Sequence, residues 1–352
     1  MRRVRRTALL ASWIVGPWSF ADSPAPIPAA SDVDQSLRLG SVTVCSENDK
    51  YFAGTDEHYT NGLKITLLST DLRNFTDDSL PAPVRNLVRL PDSWVPADCP
   101  RKLGLSLGQN IYTPQDTQTT AYQPDDRPYA WLYLGLSLQV YRPPSAPGGT
   151  ARLDVFEVDA GAVGPAAIGR EIQNGVHDTL GIDRAQGWNN QINNEPGLNF
   201  IYERKYRLST AKARTDWGTD LIPHAGLCLG NVSTYANAGF EVRVGYSLPD
   251  DFGSNLIRPS GESNALTRRP FNVFLFAATD GRVVARDITL DGNTFEDSPS
   301  IDKKPFVADL YAGIGIGTTH WQLTYAQAYR TIEFQGQDGR SVFGSISVSF
   351  FY

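Results

Sequence analysis

The ten residues LYLGLSLQVY, positions 132–141, contain two interleaved sets of side chains. Successive side chains of an extended strand point to opposite sides. Leu132, Leu134, Leu136, Leu138 and Val140 therefore share one face, while Tyr133, Gly135, Ser137, Gln139 and Tyr141 share the other. Such period-2 alternation predicts a strand with one dry and one polar face. The rhythm returns near 39–47, 60–70, 103–112 and 129–141, then near 151–161, 198–209, 219–230 and 235–248. It closes with 271–285, 306–317, 320–332 and 342–351. Twelve strands is an even number, and FEVRVGYSL (240–248) and SISVSFFY (345–352) repeat the two-faced pattern with aromatic residues near their ends. Alternating segments of about ten residues with terminal aromatics are the signature of an outer-membrane barrel. Backbone polar groups in lipid must be paired within the structure, which for strands requires a closed sheet without edges. The predicted fold is thus all-β, a twelve-stranded antiparallel barrel. A soluble sandwich or large soluble barrel is the competing reading of the same alternation.

The rest of the chain sets bounds on this reading. Four of the first six residues are Arg, an apolar run follows to Phe20, and small residues stand at Ser19 and Ala21. That is the pattern of a secretory signal peptide over 1–21, cleaved after Ala21. A Pro-, Ala- and Ser-rich lead-in spans 22–38, and the barrel domain takes 39–352. No later run of about 18 apolar residues exists, so no spanning helix is expected. The net charge of −6 gives no basic face for nucleic acid. Cys45, Cys99 and Cys228 lack the spacing of a zinc site, and one disulfide with one spare thiol is open.

One region breaks the alternation. Between Gly164 and Asn194 about thirty residues run without it, Pro165 suits a first helical turn, and AAIGREIQNGVHDTLG has helical spacing ended by Gly181. Gln173 and His177, four apart, share a face of that helix, and Asp183 follows beyond Gly181. A neutral imidazole can take a proton from water near neutral pH, and a nearby carboxylate could orient it. The alternative is a helix-end or surface histidine held by Asp178 or Asp183. The long polar excursions at 71–101, 113–127 and 249–270 are expected to gather with the helical one at a single rim.

A second polar concentration precedes the second strand. ENDKYFAGTDEHYTNGLKITLLST (47–70) offers the carboxylates of Glu47, Asp49, Asp56 and Glu57 with Asn48 and Thr60. Hard oxygen donors without a Cys or His pair suit Ca²⁺ rather than zinc. An ordinary polar barrel interior followed by a turn is the alternative. No G-x-S-x-G occurs, so a serine nucleophile is poorly supported.

Read in order, ENDKYFAGTDEHYTNGLKITLLS, QNIYTPQD with DDRPYAWLYLGL, GPAAIGREIQNGVHDTLG and GWNNQINNEPGLNFIYER resemble the lipid A 3′-O-deacylases of Gram-negative outer membranes. The resemblance runs from about Val42 to Tyr352. It implies a calcium-dependent ester hydrolase in the outer membrane, removing the 3′-acyloxyacyl group of outer-leaflet lipid A; a monomer is expected. The family's Asn-Asp pair matches Asn48 and Asp49, its strand-opening Thr matches Thr60, and its helical Gln and His match Gln173 and His177. Asp183 stands where the family carries Glu. On this resemblance Asp49 and Thr60 are metal residues, and His177, Asn48, Gln173 and Asp183 are catalytic. A family Lys in the loop after the third strand falls within PQDTQTTAYQP, which has no Lys or Arg; Arg127 is a replacement by proximity only. An outer-membrane phospholipase and a non-catalytic channel are the other classes to separate from this one.

Overall fold

The computed structural model describes residues 37–51, 58–72, 82–93, 95, 99–114, 116–123, 129–144, 149–181, 183–209, 217–257 and 269–352. The expected signal peptide, Asp56, Glu57 and Arg127 lie outside these residues. Twelve strands form one closed antiparallel barrel in which each pairs with its sequence neighbours and the last with the first. They are β1 (Leu39–Asn48), β2 (His58–Ser69), β3 (Arg101–Thr113), β4 (Tyr129–Arg142), β5 (Ala151–Val163) and β6 (Glu195–Ser209). Then come β7 (Trp217–Gly230), β8 (Ser233–Tyr246), β9 (Phe271–Asp287), β10 (Phe306–Thr318), β11 (Trp321–Arg330) and β12 (Ser341–Phe351). Closure is carried by β1 and β12, in register from Ser41 opposite Phe351 to Asn48 opposite Gly344. No helix among the described residues is long and apolar enough to cross a membrane.

The two faces of the barrel wall are those read from the alternation. Leu63, Ile65, Leu67, Leu105, Leu107 and Leu134 are exposed on the outside, as lipid-facing positions should be. The inside is polar and paired. Lys64 meets Glu157 at 3.0 Å, Arg330 meets Asp309 at 2.8 Å, and His224 Nε2 lies 3.1 Å from Asp280. Burying these charges is tolerable only because each has a partner.

The expectation that all the long excursions share a rim fails. β1 begins and β12 ends at one rim, here called lower, where the described residues of 70–100 and 247–270 join the strands; those of 114–128 and 164–194 join them at the upper rim. The lower loops are used differently. A helix unforeseen from sequence, α1 (Ala82–Ser93), stands in the first. Leu72, Cys99 and the partly buried Val84 and Val95 cover the outward Leu138 and Val140 at that rim. The second turns into the lumen. Phe252 is buried against Ala151, Leu153 and Val155, Arg243 donates to Asp251, and Ser254 N donates to Glu241 at 3.0 Å. Farther up, Asn255 Nδ2 reaches Ser349 at 3.2 Å and Ile257 N donates to Glu47 at 2.8 Å. Polarity alone suggests a surface loop, but these polar groups complement the lumen's charges while Phe252 and Leu256 bury among lumen apolars. The segment enters the barrel interior from the lower rim and reaches the level of Glu47, occupying part of the path a channel would need.

Candidate active site on the outer wall

One row of paired residues locates the site. At the upper rim Asn48 pairs with Asn61, Asn61 with Ile111, and Ile111 with Ala130. Residues directly opposite across an antiparallel ladder share a face. This row lies on the same face as the exposed Leu63, Leu107 and Leu134, so Asn48 looks outward from the barrel. Glu47, one position earlier, points inward and accepts from Tyr59 Oη at 2.9 Å.

After Asn48 the chain turns over the outer wall. Asn48 Oδ1 accepts from Lys50 N at 2.8 Å, and its carbonyl accepts from Tyr51 N at 3.2 Å. Tyr51 lies across Gly344 of β12, where a Cβ would come 2.5 Å from the Tyr51 Cβ. Asp49, 1 % exposed, donates its N–H to the Thr60 carbonyl at 3.3 Å. Thr60 is the extra residue of a bulge between Tyr59 and Asn61, a device that re-aims a side chain at a rim. Its hydroxyl meets that of Thr113 at 2.5 Å, with both residues buried. Thr113 escaped the sequence reading. Its one signal is a hydroxyl on the outward parity of a strand otherwise marked by leucines.

The excursion between β5 and β6 folds back onto this same wall. A 3-10 turn over Pro165–Ala167 is followed by α2 (Gly169–Leu180), with Ile168 between them at φ 50°. That is an unusual conformation for a β-branched residue, and it sets the angle between the two pieces. A second 3-10 turn, Trp188–Asn190, completes the clamp. Ala167, Ala185 and Trp188 bury Ile111 and Ala130, and Gln109 Nε2 donates to the Ala167 carbonyl at 2.6 Å. The loop after β3 holds the far side: Gln186 N donates to Thr117 O at 2.7 Å and Asn190 Nδ2 to Thr120 O at 3.1 Å. Residues that would otherwise face lipid are thereby capped by a helix.

α2 carries Gln173 and His177 on its buried side, 2 % and 4 % exposed. Gly181 ends the helix at φ 68°, its N–H donating to the His177 carbonyl, as a left-handed glycine cap does. The reversal brings the Asp183 carbonyl oxygen to 2.6 Å from His177 Nδ1. It is thus the carbonyl of Asp183, not its exposed carboxylate, that orients the ring. A carbonyl can only accept, so Nδ1 carries the proton, and in the neutral ring Nε2 is the nitrogen with the lone pair. Asp178 is engaged elsewhere, paired with Arg184 at 2.5 Å on the surface. That guanidinium holds the Asp178 carboxyl below its usual range. Both polar atoms of the Gln173 carboxamide are buried without a hydrogen-bond partner. A buried amide with nothing to bind is costly unless a ligand or water completes it. Asn48, Asp49 and Thr60 thus share the outer wall at the upper rim with the helix of Gln173 and His177, and the residues of the row join them.

The oxygens near Asp49 make a hard donor set: one carboxylate, the Thr60 and Thr113 hydroxyls and loop carbonyls. Among the described residues no group of three or more His, Cys, Asp or Glu is placed to share a metal. The set fits a hard cation completed by water or ligand oxygens rather than zinc.

Comparison with known proteins agrees with this architecture. A protein-family model described as outer membrane protein LpxR matches residues 10–352. LpxR from Salmonella typhimurium superposes with a TM-score of 0.67 at 19% identity, over 89% of this chain and 100% of that one. An outer membrane channel from Pseudomonas putida F1 gives only 0.43 at 10% identity, over 96% of this chain and 100% of the channel. That likeness is too loose to carry an argument. No curated protein matches in sequence.

Proposed function

Since the chain belongs to the LpxR family of outer membrane proteins, we propose that it is a lipid A deacylase. In this reading it hydrolyses the 3′-acyloxyacyl ester of lipid A with calcium and a water activated by His177. One observation carries the proposal. A buried histidine with its Nδ1 proton committed to Asp183 O sits one helical turn from an unsatisfied Gln173 carboxamide, on the outer wall.

The chemistry follows from those positions. His177 Nε2 accepts a proton as water adds to the ester carbonyl, then returns it to the departing sugar oxygen. The products are the free acyloxyacyl carboxylate and a glucosamine bearing a 3-hydroxyl. The Gln173 and Asn48 carboxamides supply hydrogen bonds to the water or the developing oxyanion. Asp49 and Thr60, with neighbouring carbonyls, would hold calcium; when bound it adds positive charge against that oxyanion. The α2 clamp excludes bulk water, which strengthens each of these interactions. Because the site faces outward, the substrate enters sideways from the leaflet and its acyl chains stay in lipid.

The test is mass spectrometry of lipid A after exposure to the purified barrel, with Ca²⁺ and with chelator. Loss of the 3′-acyloxyacyl mass only with Ca²⁺ supports the proposal. His177→Ala should slow the reaction by about 10²–10⁴, and Asp49→Ala should abolish it, with the barrel still folded. A near-normal rate in either variant sinks the mechanism. Fatty acid released from phospholipid while lipid A stays intact would favour a phospholipase instead.

A further inference from the structure

A second feature of the outer wall lies apart from the candidate site, separated from it by β12 on one side and β6–β8 on the other. A groove of about 980 Å³ runs along β9, β10 and β11 at the upper rim. Its floor is made of small residues, since Gly281 stands opposite Ala308 in the ladder. Its sides are large and apolar. Val283 pairs with Phe306 and Leu310 with Tyr329, and Ile332 overhangs from the next loop. All five are exposed, Phe306 by 70 %.

Two cations crown the groove. Lys304 and Arg340 line it just before β10 and β12 begin, at the level where a headgroup would lie. Among the described residues neither side chain has a hydrogen-bond or ion-pair partner, unlike its neighbours. Lys303 is paired with Asp291 at 2.6 Å, and Arg282 and Arg330 share Asp309. Two cations without an ion-pair partner over an apolar trough call for an anionic, acylated occupant. The volume lies in the range of sites that take whole small ligands.

The rim where β1 begins and β12 ends faces the periplasm, because the chain of an outer-membrane barrel arrives from that side. The groove therefore opens into the outer leaflet. We propose that it is a second binding site for lipopolysaccharide, holding acyl chains against Val283, Phe306 and Leu310 and a glucosamine phosphate against Lys304 and Arg340. The proposal needs only the outer-membrane location and stands whether or not the chain hydrolyses lipid A.

The experiment replaces Phe306 by the photoreactive p-benzoylphenylalanine, irradiates intact cells, and blots the heat-stable barrel for lipopolysaccharide. A strong adduct is expected at 306 and little at a matched probe on Leu229, which is exposed near the same rim, where the nearby Arg286 is committed to Asn231 O and Gly292 O. Lys304→Glu with Arg340→Glu should cut the adduct at 306 roughly tenfold or more. The rate of lipid A deacylation by that double variant should stay at wild type. Equal adducts at both probes, an adduct at 306 indifferent to charge reversal, or one with phospholipid alone would each overturn the proposal.

Discussion

Replacing Trp188 by Ala should undock α2 while leaving the barrel intact. The indole is 1 % exposed, set among Ile111, Ala130, Ala167 and Ala185, and it touches Gly169, where a built Cβ would come 3.0 Å from the ring. Truncating a buried Trp costs about 3–5 kcal/mol. Here the loss falls on the docking of the excursion, because the twelve strands pair without it. At 1.4 kcal/mol per factor of ten, the docked population drops by roughly 10² to 4 × 10³ relative to the undocked one. Two assays read this: the initial rate of deacylation, and trypsin cleavage at the exposed Arg170 and Arg184, which requires local opening. Trp188→Phe is the control. The Trp188 Nε1–H is buried without a hydrogen-bond partner, so losing it removes a penalty while a ring remains. The expected pattern is low activity and rapid cleavage for Ala, near-normal behaviour for Phe, and unchanged heat resistance of the barrel in both. Wild-type rate and trypsin resistance in Trp188→Ala would refute the reasoning. The excursion would then be held by its hydrogen bonds to Gln109, Thr117 and Thr120 rather than by the indole.

Two further outcomes follow from the charged groups. Arg243 is fully buried, pairs with Asp220 at 2.6 Å and anchors Asp251 of the lumen segment. Arg243→Met leaves Asp251 without its guanidinium and Asp220 with Arg207 alone, and should cost about 3–5 kcal/mol, lowering the unfolding midpoint in detergent while the deacylation rate below that midpoint is unchanged; an unchanged midpoint would contradict the pairing. At the C-terminal end of α2 the Arg184 guanidinium depresses the Asp178 carboxyl. The folded value lies below the unfolded one, so this contribution is present above the usual carboxylate range and fades as pH falls through the depressed value. Amide protection at 177–184, taken relative to the intrinsic exchange rate at each pH, should fall on acidification, and more salt at neutral pH should lower it too because the pair is exposed. Protection that does not change with pH across that range would show that Gly181 alone fixes the turn.

The barrel was legible because its rule is local. Period 2 in 132–141 tells which residues face out, and Leu134 and Tyr133 lie where that rule puts them. The helix after Pro165 was legible for the same reason, down to the left-handed cap at Gly181. What escaped depends on partners far away in sequence. Residues 250–257 look like a surface loop until Arg243, Glu241, Ser349 and Glu47 surround them. Thr113 acquires meaning only when a bulge turns Thr60 toward it. Asp183 was read by its side chain, as sequence comparison must read it, whereas its backbone carbonyl makes the contact. A main-chain acceptor is the same for every residue type, which makes Asp in place of Glu a small change at that contact.

The position of the site follows from how the barrel interior is used. The lower lumen holds the segment through Phe252 and Leu256, and the inner wall carries paired charges such as Lys64 and Glu157, surroundings that disfavour acyl chains. In the proposed reaction the lipid ester is met on the outer wall, where its chains need not leave the membrane. That wall is hostile to Asn48, Asp49 and Thr60, because polar groups facing hydrocarbon are costly. The excursion resolves the conflict. By laying α2 and Trp188 over Ile111 and Ala130, it converts a strip of lipid-facing wall into a covered cleft where polar side chains are shielded and water can be rationed. The helix that brings His177 is therefore the same element that makes its surroundings tolerable. Loss of the cover should remove catalysis even with every polar side chain of the site still present.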